Sequence, residues 1–585
     1  DTALRVASGS KVIFEDTIGN LWLPAMGQGD LTVNGINASG VVDIDGDDSI
    51  TVGMPGAAGG IAGSTVTVDA ANNITVSGSV SGTGDAGSVA LNARAGDIAL
   101  SDGSKVSASG EVGLMAGKNI ELNDGSISAG GDASLKAGAS IKATGLELNA
   151  QNAVLDAVSA VNLGSDALIA VQKDAEITGA SVTATKGTVT AKEGKVTIAA
   201  TDEAGSGITG EGLKVTAGTD AELTSAGTVN LGNGATIAAA KNATLTGDAV
   251  MVSKGTVAAE AGKVTIAAKD EAGSGITGEG LQVLAGTDAE LTSAGTVNLG
   301  SSATITVKKD ATLTGDAVTV SQGTIATQTG NVTITATSAD GSGIVGNGLQ
   351  VTAGTDANLK SESVVNLGEK ASIAATAGDA FLSGTAVTID GAQVTATNGN
   401  ATIVAASTDG SGIVGNGLQV TAGTNAELTS QSVVNLGEKA SIAAMGNASL
   451  MGTSVTIVEA AIKAESGTAS INATAAEGTG ITGQGLQIMA GDDATLESAA
   501  GISVAASAND VRTDIQVKDE ITLTSKDSIV STDAYYEALK GNLTFVSSEG
   551  DVDLSRSTLR AQNGSLSIDA YNSAILQSVV FEVAG

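Results

Sequence analysis

Residues 205–213 read G-S-G-I-T-G-E-G-L, and near-copies begin at Gly273, Gly341, Gly410 and Gly478, at steps of 68, 68, 69 and 68 residues. A second marker, V-N-L-G, keeps the same step at Val161, Val229, Val297, Val365 and Val434. Two unrelated motifs sharing one period establish an internal repeat. Residues 217–232 and 285–300 are identical, and a degraded copy occupies residues 145–164. About six units of this length therefore fill residues 141–510.

Within the unit that starts at Leu213, apolar residues come in short alternating bursts, such as Leu213 and Val215, Ala221 and Leu223, and Val229 and Leu231. Period-two alternation marks strands with one buried face. The bursts recur every seven or eight residues, separated by Gly, Asn, Asp and Ser, which supply turns. Strands this short gain stability only by stacking on copies of themselves. Equivalent residues must return to the same face, so a repeat holds a whole number of coils. Nine bursts in 68 residues give three coils of about 22–23 residues with three strands each. Four coils of about 17, as in left-handed hexapeptide helices, fit the spacing less well. The expected fold is all-β, a right-handed parallel β-helix, in which Leu213, Leu281 and Leu349 share one line with two rungs between neighbours.

The chain divides into an N-terminal cap or assembly segment over residues 1–30, irregular coils over 31–140, the six long repeats over 141–510, and C-terminal coils with a terminal strand over 511–585. Residues 53–63, with Pro55, are expected to leave the coils as a loop, and residues 533–539 to form one helical turn. The interior is aliphatic, and a narrow lumen of stacked rungs is expected to leave no room for rings. Of eight aromatic residues only Phe381 interrupts the repeats, at the outward position that Thr244 and Thr312 hold in earlier units.

Composition narrows the function. The net charge is −35 with 28 basic residues, which makes nucleic acid and anionic membrane poor partners. No stretch approaches a membrane span, and residues 1–16 lack the apolar core of a signal peptide, so an exported chain is expected to be the processed form. Neither cysteine nor histidine occurs, which removes thiolate chemistry, serine–histidine catalysis and the usual zinc ligands. A carboxylate pair is the remaining enzymatic option, and no basic or aromatic groove accompanies one.

The densest acidic group, Asp43, Asp45 and Asp47 around Gly46, has the spacing that opens a calcium loop, without its distal glutamate. Its other reading is a solvated turn; calcium is the one cofactor considered. Glu203, Glu271, Asp340, Asp409 and Glu477 each precede a glycine turn and read as solvent-facing charges that oppose lateral aggregation. Asn230, Asn298, Asn366 and Asn435 point outward, three coils apart, too far for a side-chain ladder. Sequons at Asn73, Asn242, Asn331, Asn400 and Asn472 allow glycosylation where the machinery exists.

The rhythm G-D-A-S-L-K-A-G at Gly131, G-N-V-T-I-T-A at Gly330 and G-N-A-T-I-V-A at Gly399 resembles the repeats of filamentous-haemagglutinin-like exoproteins and related giant adhesins. The resemblance covers most of residues 90–580, although the N-P-N-G type motif of that family's secretion domain is missing. It implies a secreted, non-enzymatic structural or adhesive rod at the cell surface, as in a biofilm. Alternatives are the passenger portion of a larger adhesin and a carbohydrate-active β-helix. Identical subunits, joined head to tail into an extracellular filament, are the expected partners, with surface glycans or proteins as further ones. Leu4, Val12, Phe14, Leu21 and Trp22 at one end, and Val579, Val580, Phe581 and Val583 at the other, are the expected interface, because a β-helix exposes unpaired backbone groups at its termini.

Overall fold

The computed structural model describes residues 2–3, 11–13, 17–24, 29–54, 59–203, 207–271 and 275–583. Every regular element among them is a β-strand. The chain forms two compact units, Asp1–Glu290 and Leu291–Gly585. In each, a coil gives one strand to each of three parallel sheets, the architecture of a β-solenoid; in one coil Val196–Ala200 belongs to sheet 1, Ile208–Thr209 to sheet 2 and Lys214–Ala217 to sheet 3.

The register confirms the coil count. In the first unit Val196 pairs with Ala221, Ala221 with Ala243 and Ala243 with Val264, so three coils return the chain to the same place after 68 residues. In the second, Val332, Ala357, Ala380 and Ala401 make the same three steps. The four-coil alternative is thereby excluded. Leu213 and Leu281 flank equivalent strands of sheet 3 three coils apart, and both are buried.

Alternation sets the packing. Strand Val264–Ala268 buries its first, third and fifth residues, and Ile198, Leu223, Leu245 and Ile266 stack as a fully buried column. Each full burial of such an aliphatic side chain is worth about 1.5–3 kcal/mol, which is how four- and five-residue strands become stable.

The described part of the motif, residues 207–213, closes the corner between sheets 1 and 2 and forms the strand Ile208–Thr209 that follows. A Cβ on Gly207 would lie 2.0 Å from the Thr228 carbonyl oxygen of the next coil, and its φ is +61°, so no other residue fits. Ile208 then enters the core, and Leu213 fills the next corner.

Three expectations need correction. Residues 534–538 are a strand, Ala534–Ala538, with Tyr536 inward and Tyr535 outward, so there is no helical turn. The lumen does take rings: Tyr536 and Phe545 are fully buried, edge to face at 5.2 Å between centroids. The small inward residues Ser531, Ala534 and Ala538 make the space, and the Ser531 hydroxyl bonds the phenol at 2.7 Å. Of the expected loop at residues 53–63, Gly60–Gly63 is a strand paired on both sides, while residues 55–58 lie outside the described residues. The described pieces of residues 1–30 are strands in register with the coils that follow, such as Leu21–Pro24 on Val41–Gly46. Phe381 does point outward, half-buried between Asn358 and Thr402.

Candidate functional site

Asp43 and Asp45 occupy successive outward positions of strand Val41–Gly46, and Asp69 lies beside Asp45 on the next coil. The Arg94 guanidinium donates to Asp45 at 2.9 Å and forms an ion pair with Asp69 at 2.7 Å, placing a fixed cation where the calcium reading needed a mobile one. Asp47 lies beyond the strand's end, and among the described residues no three acidic, histidine or cysteine side chains converge on a metal position. Partial burial, then the charges of Asp45 and Asp69, raise the Asp43 carboxyl above its ordinary range.

The acids ahead of the glycine turns, Glu203, Glu271, Asp340, Asp409 and Glu477, are exposed. Hydrogen bonds from Ser411 and Ser407 hold the Asp409 carboxyl below its ordinary range. Asn230, Asn298, Asn366 and Asn435 sit at outward positions of sheet 2.

A different column does form a ladder. At the corner ahead of sheet 1, the side-chain oxygen of an Asp or Asn accepts the backbone N–H of its equivalent on the next coil. In the second unit seven such bonds run without a break from Asp310 through Asn331, Asp356, Asp379, Asn400, Asn425 and Asn447 to Thr468, at 2.7–3.3 Å. The ladder's signal in the sequence is an Asp or Asn directly before the inward Ala or Val that opens a sheet 1 strand, a pattern that turn chemistry also accounts for. The ladder also explains the sequons at Asn242, Asn331 and Asn400: a ladder Asn, an inward residue and an outward Thr spell N-x-T. The Asn242 amide donates to Asp220 at 2.9 Å and the Asn400 amide to Asp379 at 3.3 Å, so a glycan there would compete with a structural bond.

The expected interface residues fall into three groups. Leu21 belongs to the chain's own core at 1% exposure, because it faces the lumen between two coils, whereas its neighbour Trp22 is 57% exposed. Leu4 and Phe14 lie outside the described residues, and Val12 sits in strand Lys11–Ile13, whose side chains are likewise outside. At the other end, Val580–Val583 pairs with Thr558–Ala561. Phe581 and Val583 are stacked on the buried Leu559 and Ala561, yet each remains about half exposed, at 47% and 49%. Val579 is half-buried and Val580 exposed.

A polar cluster lies on the outward face of sheet 3 in the last coils, where the repeat has decayed. Arg512, carried by an insertion at residues 506–512, stacks 5.0 Å over the Tyr535 ring. The Tyr535 hydroxyl donates to Glu537 at 3.0 Å, and Glu537 also takes Arg560 at 3.2 Å and Gln562 at 2.6 Å. Burial, foremost, raises the Tyr535 phenol above its ordinary range. Beside the cluster is a groove of about 270 Å³ between Lys463, Met489, Gln516, Lys518 and Leu539. Sequence reading missed the cluster because it joins side chains of successive coils, such as Arg512 with Tyr535 and Glu537 with Arg560, that meet only through coil stacking. Comparison with protein-family models, curated proteins and solved structures finds no match for this chain.

Proposed function

We propose that the chain is a non-enzymatic structural solenoid, exported to or beyond the cell surface, whose copies join end to end into a filament. Support for the structural part comes from the uninterrupted ladder between Asp310 and Thr468, since a groove enzyme requires local departures from regularity. The end-to-end part is carried by one observation: Phe581 and Val583 face inward by register on Leu559 and Ala561 and are still about half exposed. A further parallel coil, from a continuation of the same chain or from another copy, would bury them, and the proposal takes that coil from an identical chain.

Electron microscopy and sedimentation of the purified protein test this. Fibres are expected from the intact chain and single particles after deletion of residues 1–24, with the β-sheet circular dichroism unchanged. An intact chain that stays monomeric at high concentration ends the filament reading. The cluster around Tyr535 favours a second reading, the passenger portion of a larger adhesin. In that reading Tyr535→Ala abolishes adhesion to cells or surface glycans while leaving fibre formation intact.

A further inference from the structure

In the second unit, sheet 3 runs through seven consecutive strands from Thr304–Val307 to Ser441–Ala444. Each has two outward positions, and all fourteen are Thr, Ser, Gln or Ala. No charged side chain stands on this face, although the chain carries −35. The charges are displaced to its two edges. One edge holds Glu369, Lys370, Glu438 and Lys439 at the corner after sheet 2; the other holds Asp356 and Asp379 in the ladder corner. The three glutamines are partly used: Gln350 and Gln419 donate to the carbonyls of Lys370 and Lys439 on the following coil, which pins them flat.

We propose that this neutral strip is a lateral contact between two copies of the chain, packed sheet on sheet. The argument is electrostatic and geometric, and it does not rest on the end-to-end reading. Two copies this acidic repel wherever corners meet, so association is cheapest through a surface with no charge of its own. Outward Thr, Ser and Ala are short, which lets two sheets approach face to face, as in other packed β-layers. Seven strands about 4.8 Å apart and about 13 Å long offer roughly 450 Å² per copy. Two such faces bury about 900 Å², just below the size of a stable interface. The pairing is therefore weak for one pair of chains and strengthens when many faces act together. Lys370 and Asp379 lie on opposite edges of the same coil, so a parallel two-fold pair sets each lysine opposite the other copy's aspartate.

Ala374 sits on the middle strand, Ser372–Ala375, with three strands on either side. Any two-fold arrangement of the strip, parallel or antiparallel, brings it close to its own equivalent. Because the chain has no cysteine, Ala374→Cys gives a clean trap. Under oxidation it is expected to form a disulfide-linked dimer at least tenfold faster than Thr388→Cys on sheet 2 or Ser449→Cys on sheet 1, both also outward. Adding Thr352→Glu and Thr395→Glu, which flank Ala374 on the neighbouring coils, is expected to bring the rate down to that of the controls. Unchanged thermal melts of each variant show that folding is intact. Equal rates at all three positions, faster linking through sheet 1 or sheet 2, or insensitivity to the added glutamates would overturn the proposal.

Discussion

Asp43 shows how one side chain responds to its neighbours along the coil stack. Its carboxyl is raised by burial and by the charges of Asp45 and Asp69, so the folded chain keeps a proton over a pH window in which the unfolded chain has released it. This contribution to stability falls as pH rises through the window and is unfavourable at neutral pH. Asp43→Asn is expected to raise the melting temperature at pH 7 and to leave it unchanged below the carboxylate range; a loss of stability at pH 7 would mean that Asp43 has a partner. Phe381 tests the outward register. Phe381→Thr should change stability by less than about 1 kcal/mol, as surface substitutions do. Tyr536 is the opposite case: fully buried against Phe545, it should cost about 3–5 kcal/mol on replacement by Ala, read by chemical denaturation.

At the scale of the coil, two corners carry the regularity. The thirteen non-glycine residues with positive φ among the described residues all lie in the turn between sheets 2 and 3, including Lys186, Lys254, Lys370 and Lys439. The same turn uses glycine at Gly348 and Gly417. A Cβ on Gly417 would meet nothing nearer than 3.5 Å, so the cost of a side chain there is conformational. Gly417→Ala is expected to lose about 1 kcal/mol, and Gly417→Asn less, because Asn tolerates the left-handed region. At the other corner, Asn425 accepts from the Asn447 N–H at 2.9 Å and donates to Asn400 at 3.2 Å. Asn425→Ala should cost about 1–2 kcal/mol, while Asn425→Asp, which keeps the acceptor, should recover most of it. Equal losses for the two variants would show that the ladder bond contributes little.

For the molecule as a whole, a solenoid whose coils touch mainly their neighbours has a stability that adds coil by coil. Residues 410–477 make up one complete 68-residue repeat, three coils in register with what precedes and follows them. Their deletion is expected to leave a folded chain with an unchanged β-sheet spectrum. Deleting residues 410–443, a fraction of that repeat, should misalign the faces and give aggregated material, because the burial pattern no longer returns to the lumen. If both deletions fold equally well, coil register is less strictly determined than the paired columns imply.

What the sequence determined by itself was whatever repeats along it. The 68-residue step, the alternation and the glycine turns favour three coils of three strands, because bursts every seven or eight residues bury one face of every short strand best in coils of about 22–23 residues. It also placed Phe381 outward and showed that histidine and cysteine chemistry is absent. Tertiary structure alone decided which distant residues meet. The Asp310–Thr468 ladder, the Arg94 bridge across Asp45 and Asp69, and the Tyr535 cluster each join residues about one or two coils apart, more than twenty positions in the chain. Local patterning has no reach over that distance. The buried Tyr536 and Phe545 are near neighbours in the chain and went unforeseen for another reason: the space for their rings depends on the small inward residues Ser531, Ala534 and Ala538, and only the closed coil turns all of these side chains into one lumen.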